Sequence, residues 1–277
     1  MNKEKEYNYL EQYVLKLQSD GRLSFSLDEI RNQFSSSSEI ALKFALNRLS
    51  KKNKIVSVYK GFYVIIPPEY SNRKILPPEL FIDSLFKFLE RPYYLGLLSA
   101  AALHGAAHQQ PQESYVFINK PPLRSTKVEG IKINYVVKSL LPKVGIEKRK
   151  TETGYINISS AELTAIDLVE YQHRVGGLSR VATILHELTE AMSPEKLNDV
   201  LQNKFSLSSL QRLGYLLDCV LNKNEFALVI QNHLADKKIF RVPLSSTYKK
   251  IGLPVPKGKT NLIWKVIENI KIETDFD

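Results

Sequence analysis

The chain has 277 residues, 43% of them hydrophobic and 25% charged, with one cysteine and a formal net charge of +10. That length suits two hydrophobic cores, the single cysteine excludes an internal disulfide framework, and no stretch reaches the ~18 apolar residues of a membrane span. The charged start, MNKEKEYNYLEQ, is no secretory signal, so a soluble cytoplasmic protein with no membrane partner is expected, and the cation excess points to an anionic partner such as nucleic acid. The excess is uneven. Residues 1–75 hold 13 Lys and Arg against 8 Asp and Glu, a net of +5, half of the whole.

KEYNYLEQYVLKLQSD opens the chain, with Tyr7, Leu10, Val14 and Leu17 spaced along one helix face. Gly21 ends that helix, and Leu23-Ser24-Phe25 is a short extended piece. In SLDE, Ser26 and Glu29 form a capping box that starts a short second helix running to about Phe34. Ser36 stands three residues before Glu39, the spacing of a second box ahead of a helix over Ser37–Lys51. Projected at about 100° per residue, Ile40, Ala41, Leu42, Phe44, Ala45, Leu46 and Leu49 cover a wide arc. Ser36, Glu39, Lys43, Asn47 and Ser50 fall on a narrow polar strip. The projection predicts a mostly buried helix, Ile40 and Phe44 included, with one outward strip. Lys suits guanine O6 and N7, and Asn suits adenine N6 and N7, so the strip has the chemistry of a major-groove reading helix.

Ile55–Tyr59 and Phe62–Ile66 are β-branched and aromatic runs joined by Lys60-Gly61, which predicts a hairpin with a tight turn. Helix, helix, helix, hairpin is the order of a winged helix-turn-helix domain over residues 1–66. The candidate DNA contacts are Ser36, Lys43, Asn47 and Ser50 on the strip, with Lys51, Lys52, Lys54, Tyr59 and Lys60 at the base and tip of the wing. The cations fix register and add salt-dependent affinity without reading sequence. Pro67, Pro68, Pro77 and Pro78 then bracket a linker, 67–78.

A larger mixed domain is expected over 79–277, and the whole chain is expected to be α+β. A helix over 79–90 precedes extended runs at 114–119, 131–137 and 154–159. Ser159 and Glu162 have the spacing of another helix start, and helical patterns continue to about His233. NLIWKVIENIKI reads as a return to the sheet, Cys219 in LGYLLDCVL as a buried thiol, and IEKRK (146–150) as a solvated basic run. His104 and His108 are four apart, but Gly105 stands where H-E-x-x-H needs its glutamate. A glycine there is the usual residue just past a helix end, which puts His108 off the helix and makes packing the expected role. HELTE (186–190) and Gly176-Gly177 complete no metal or phosphate motif. No catalytic residue, metal or cofactor is expected.

Several segments together resemble one family. YKGFYVIIPPEY, PPELFIDSL and RPYYLGLLSAAALHGAAHQQP, the last followed by a strand, are similar to the AbiEi antitoxins of bacterial abortive-infection toxin–antitoxin operons. The resemblance is strongest from about 55 to 120. It implies a cytoplasmic, non-enzymatic antitoxin and transcriptional autorepressor. Its winged helix would bind promoter DNA at inverted repeats. Its C-terminal domain would neutralise a nucleotidyltransferase-like toxin without a stable complex, the type IV mode. Two other readings stand beside it: an interaction module that binds a toxin directly, and a metal-dependent nuclease-type enzyme.

Overall fold

The computed structural model describes residues 3–71, 76–106, 113–128, 130–245 and 258–274. The fold is mixed α+β, and the chain gathers into two compact units. Residues 1–94, 112–139 and 148–157 form the first, and 95–111, 140–147 and 158–277 the second.

The first unit begins with α1 (Lys3–Ser19), β1 (Ser24–Ser26), α2 (Leu27–Gln33), α3 (Glu39–Lys51), β2 (Ile55–Tyr59) and β3 (Phe62–Ile65). Each starts where local chemistry favours it. Ser26 Oγ accepts from Glu29 N at 3.0 Å while Glu29 Oε2 accepts from Ser26 N at 2.8 Å, a complete capping box on α2. The cap of α3 is Ser38, whose Oγ accepts from Ala41 N at 3.2 Å. Ser36 does not cap it, and Glu39 turns instead to Arg31, at 2.8 and 2.9 Å. An ion pair with a guanidinium competes better for that carboxylate than a lone backbone amide does. The strands form an antiparallel sheet in the order β1-β3-β2. Gly61 makes the hairpin turn at φ +79°, open to glycine at little cost.

One core joins these elements. Leu10, Val14 and Leu17 of α1 pack with Phe25, Ile30, Leu42, Ala45, Leu46, Leu49, Ile55 and Ile65. The side chain of Tyr7, expected on the same face of α1, lies outside the described residues.

The proline segment is not wholly extended. It contains α4 (Pro68–Ser71) and a 3-10 turn over Pro78–Leu80 before α5 (Ile82–Phe88). A six-stranded mixed sheet follows, in the order β6-β7-β5-β4-β9-β8. Its strands are β4 (Tyr93–Leu95), β5 (Ser114–Ile118), β6 (Thr126–Val128), β7 (Ile131–Val137), β8 (Ile146–Thr151) and β9 (Gly154–Ser159). β5 and β7 run parallel, and β6 lies antiparallel to β7. β8 is the basic run IEKRK, an edge strand whose charges guard against edge pairing. Phe86 stacks on Tyr93 at 4.6 Å and Tyr94 on Phe117 at 4.7 Å.

The second unit is built around α7 (Ala161–Glu170), which is buried on every side from Ala161 to Val169. A helix buried all round belongs at the centre of a helical layer, and the polar groups it buries, Glu162 and Thr164 among them, find hydrogen-bond partners there. Around it lie α6 (Leu97–Leu103), α8 (Leu178–Leu188), α9 (Pro194–Val200) and α10 (Leu207–Tyr215). α11 (Asn224–Leu234) packs on α9 and α10. The cap of α7 is Ser160, with Oγ accepting from Leu163 N at 3.3 Å, and not Ser159. Glu162 is unavailable for a box because its Oε1 accepts from Ser193 N at 2.9 Å. The late apolar run does not rejoin the six-stranded sheet. Its strands β11 (Thr260–Asn261) and β12 (Val266–Ile267) form a separate small sheet with β10 (Val242–Pro243).

Leu216–Val220 forms a π-helical turn after α10. It offsets the helical phase, so Cys219 is exposed and not buried as its apolar neighbours suggest. Partial desolvation and the Asp218 carboxylate push its thiol up to about 11, away from thiolate reactivity.

Gly214 in α10 lies directly under Trp264, where a Cβ would stand 2.0 Å from the ring. Gly214→Ala is therefore expected to destabilise the fold by about 1–3 kcal/mol. Denaturant unfolding followed by the fluorescence of the single tryptophan measures this, and an unchanged midpoint would refute the packing.

Candidate nucleic-acid interface

Burial fixes the rotation of α3. Leu42, Ala45, Leu46 and Leu49 are its buried residues. At about 100° per residue they occupy an arc of only about 100°. The opposite side is outward, and it is much wider than a strip. Its centre line is Ile40, Phe44, Asn47 and Lys51, a set spaced by four, three and four residues. Lys43, Ser50 and Ala41 flank that line and are exposed.

Ile40 and Phe44 are thus the main correction to the sequence reading. They are 69% and 65% exposed, although both were expected inside. Apolar identity alone placed them in the core. The α3 helix is too narrow for the core to reach both sides, and Leu42, Ala45, Leu46 and Leu49 already fill the inward one.

The candidate contacts fall into four groups, the last of them Tyr59 and Lys60 at the hairpin tip. Lys43, Asn47, Ser50 and Lys51 share the outward side of α3 and project together from one rigid element. Ser36 is exposed in the turn ahead of that helix. Lys52 and Lys54 turn toward α1. Lys54 hydrogen-bonds Glu11 Oε1, and Lys52 Nζ lies 3.5 Å from Glu11 Oε2. The one carboxylate offsets one of their two charges, and the pair holds the start of the hairpin to α1. The bond from Lys54 is the main cause that keeps the Glu11 carboxyl below its usual range.

The hairpin tip is anchored. Tyr59 meets the Phe88 ring of α5 edge-on at 6.4 Å, Phe62 packs on the same ring at 5.4 Å, and Gly61 O accepts from Leu27 N at 2.8 Å. Thr126 Oγ1 of β6 also reaches Val58 O at 3.4 Å. Tyr59 is therefore partly committed to packing, while the Lys60 side chain stays exposed at the turn.

The histidine segment is a packing element in the second unit. Ala100 and Ala101 of α6 are fully buried. His104 is the C-cap, and Gly105 follows at φ +82°, so the helix ends where expected. His104 Nε2 lies 2.8 Å from the Ser159 carbonyl. A carbonyl only accepts, so Nε2 carries the hydrogen in this bond. His108 lies outside the described residues. Ser159 Oγ in turn meets Thr164 Oγ1 at 2.6 Å, and Thr164 Oγ1 donates to Ser160 O at 2.7 Å. This polar knot ties α6 and α7 together. Among the described residues, no group of three or more His, Cys, Asp or Glu is placed to hold a metal ion. No described helix is long and apolar enough to cross a membrane.

Residues 94–219 match the family model of the AbiEi antitoxin C-terminal domain. This part of the chain is an AbiEi antitoxin C-terminal domain, and the match supports an antitoxin role in a toxin–antitoxin system. That family is a regulatory, non-enzymatic kind of protein. No curated protein sequence matches the chain. The fold is similar to the crystal structure of the RV2827C protein from Mycobacterium tuberculosis. The TM-score is 0.64 at 15% identity, covering 94% of this chain and 91% of that one.

Glu11 gives a pH prediction. Its carboxyl is lowered in the folded state from 4.5, so the stability it contributes is present above that value. It is lost as pH falls through the lowered folded value. Glu11→Gln should flatten this part of the acid dependence of the unfolding midpoint. An identical acid limb in the variant would show that the lysine contacts contribute nothing.

Proposed function

We propose that residues 1–66 are a winged-helix DNA-binding domain through which the antitoxin represses its own operon. On this reading residues 67–78 are a linker, and 79–277 carry neutralisation of a nucleotidyltransferase-like toxin without a stable complex. The observation that carries the DNA-binding part is the outward side of α3, where Lys43, Asn47 and Lys51 project from one helix. The β1-β3-β2 sheet behind it and the net +5 of residues 1–75 support it further. Asn47 reads adenine in the major groove, while Lys43 and Lys51 take guanine or phosphate. Lys60 adds a phosphate contact from the hairpin turn. An operator of inverted repeats would seat two copies.

A second reading is a protein-contact face on α3, and the exposure of Ile40 and Phe44 favours it. The two readings part on salt. Binding of the full chain to the DNA upstream of its own operon, against a scrambled duplex, is measured across a salt series. DNA reading requires selective binding with a steep salt slope. Weak, equal binding to both duplexes would leave the protein-contact reading.

Two substitutions follow. Asn47→Ala should cost roughly 1–3 kcal/mol on the operator and much less on scrambled DNA. Lys60→Ala should weaken both alike and flatten the salt slope. Gel-shift titrations on both duplexes measure these, and equal losses on both for Asn47→Ala would remove it from the reading face. Neither variant should lose its rescue of toxin-expressing cells.

A further inference from the structure

Ile40 and Phe44 lie one helical turn apart on the centre line of α3 and are 69% and 65% exposed. Single exposed apolar residues are ordinary on any protein surface. These two are not scattered. They sit in line with Asn47 and Lys51 and beside Lys43, in the part of the chain that carries half of the net charge. A partner for this face must offer apolar groups interleaved with negative charge and hydrogen-bonding edges.

The major groove of DNA offers that combination. Its apolar group is the thymine C5-methyl, and it lies on the same edge as the adenine N6 and N7 that an asparagine reads. The spacing fits as well. One helical turn rises about 5.4 Å, roughly one and a half base steps of about 3.4 Å, so side chains a turn apart on the line reach base pairs one or two steps apart. An Asn47–adenine contact places thymine in that same pair. We infer that Ile40 and Phe44 are specificity-determining residues that recognise thymine methyl groups, so the operator half-site holds A·T pairs under the first two turns of α3. The inference rests on the DNA-binding reading proposed above.

The test uses the full chain and its upstream DNA, with thymines replaced one at a time by deoxyuridine. That change removes the methyl and leaves base pairing intact. Burial of one methyl at ~0.8 kcal/mol corresponds to about a fourfold change in affinity. The expected result is a loss of about fourfold at one to three positions. Each loss should disappear in Ile40→Ala or Phe44→Ala and persist in Lys60→Ala. Both substituted side chains are on the surface, so the fold should survive them, and circular dichroism checks it.

Selective operator binding that ignores deoxyuridine at every position would overturn the inference and leave the DNA-binding reading standing. A deoxyuridine loss that persists unchanged in both alanine variants would overturn it too. If the alanine variants instead lose self-association with no change toward deoxyuridine, the face is a contact between copies of the chain. Absence of selective binding to the unmodified duplex would sink both readings together.

Discussion

The rotation of α3 about its own axis is the constraint on which the N-terminal half depends. A helix buries the side on which its apolar neighbours lie, and here Leu42, Ala45, Leu46 and Leu49 meet the core supplied by α1, α2 and the hairpin. That choice sends Ile40, Lys43, Phe44, Asn47 and Lys51 outward as one set. Turning the helix by half a turn would bury a lysine and an asparagine without partners, at several kcal/mol. The outward side is therefore a consequence of packing, and its chemistry is available for recognition. Glu11 reinforces the arrangement by drawing Lys52 and Lys54 back to α1. Lys43 and Lys51 of α3 and Lys60 of the hairpin turn remain exposed cations.

In the second unit the organising feature is α7, buried along almost its whole length, and the polar groups it carries inward. Thr164, Ser159 and Ser160 satisfy one another, and His104 closes the group through the Ser159 carbonyl. Buried hydroxyls and a ring nitrogen with such partners specify how helices dock. The buried Ala100 and Ala101 of SAAALHG let α6 approach α7 closely beside this group. The family match over residues 94–219 covers this region together with most of the six-stranded sheet.

How much of this was legible in the sequence depended on the range of the forces involved. The capping box of Ser26 and Glu29, the Gly61 turn and the helix end at Gly105 are local, and each stood where the residues placed it. The capping serines Ser38 and Ser160 were missed by a residue or two because Glu39 and Glu162 have partners distant in sequence. β8 was missed because an edge strand made almost wholly of charged residues lacks an apolar period. Cys219 was misplaced because its apolar neighbours suggested burial and a π-helical turn offsets the helical phase there. Ile40 and Phe44 were misplaced for a different reason. Apolar type shows that a side chain gains from leaving water, but not whether its own core or a partner provides the shelter. Of the candidate DNA contacts, those on α3 are brought together on one helix. Lys52 and Lys54 are spent on Glu11, a pairing across 43 residues in the latter case that no local pattern records.

The account's central claim is that the outward side of α3 meets DNA bases, and the most direct measurement is site-specific photo-crosslinking. A benzoylphenylalanine placed at Phe44 preserves an aromatic side chain on the centre of that side. A second placed at Leu228, exposed in the other unit, serves as the control. With upstream operon DNA bound, the account predicts a covalent adduct to a base from position 44 and none from position 228. Bound DNA that is captured from position 228 and never from position 44 would contradict it.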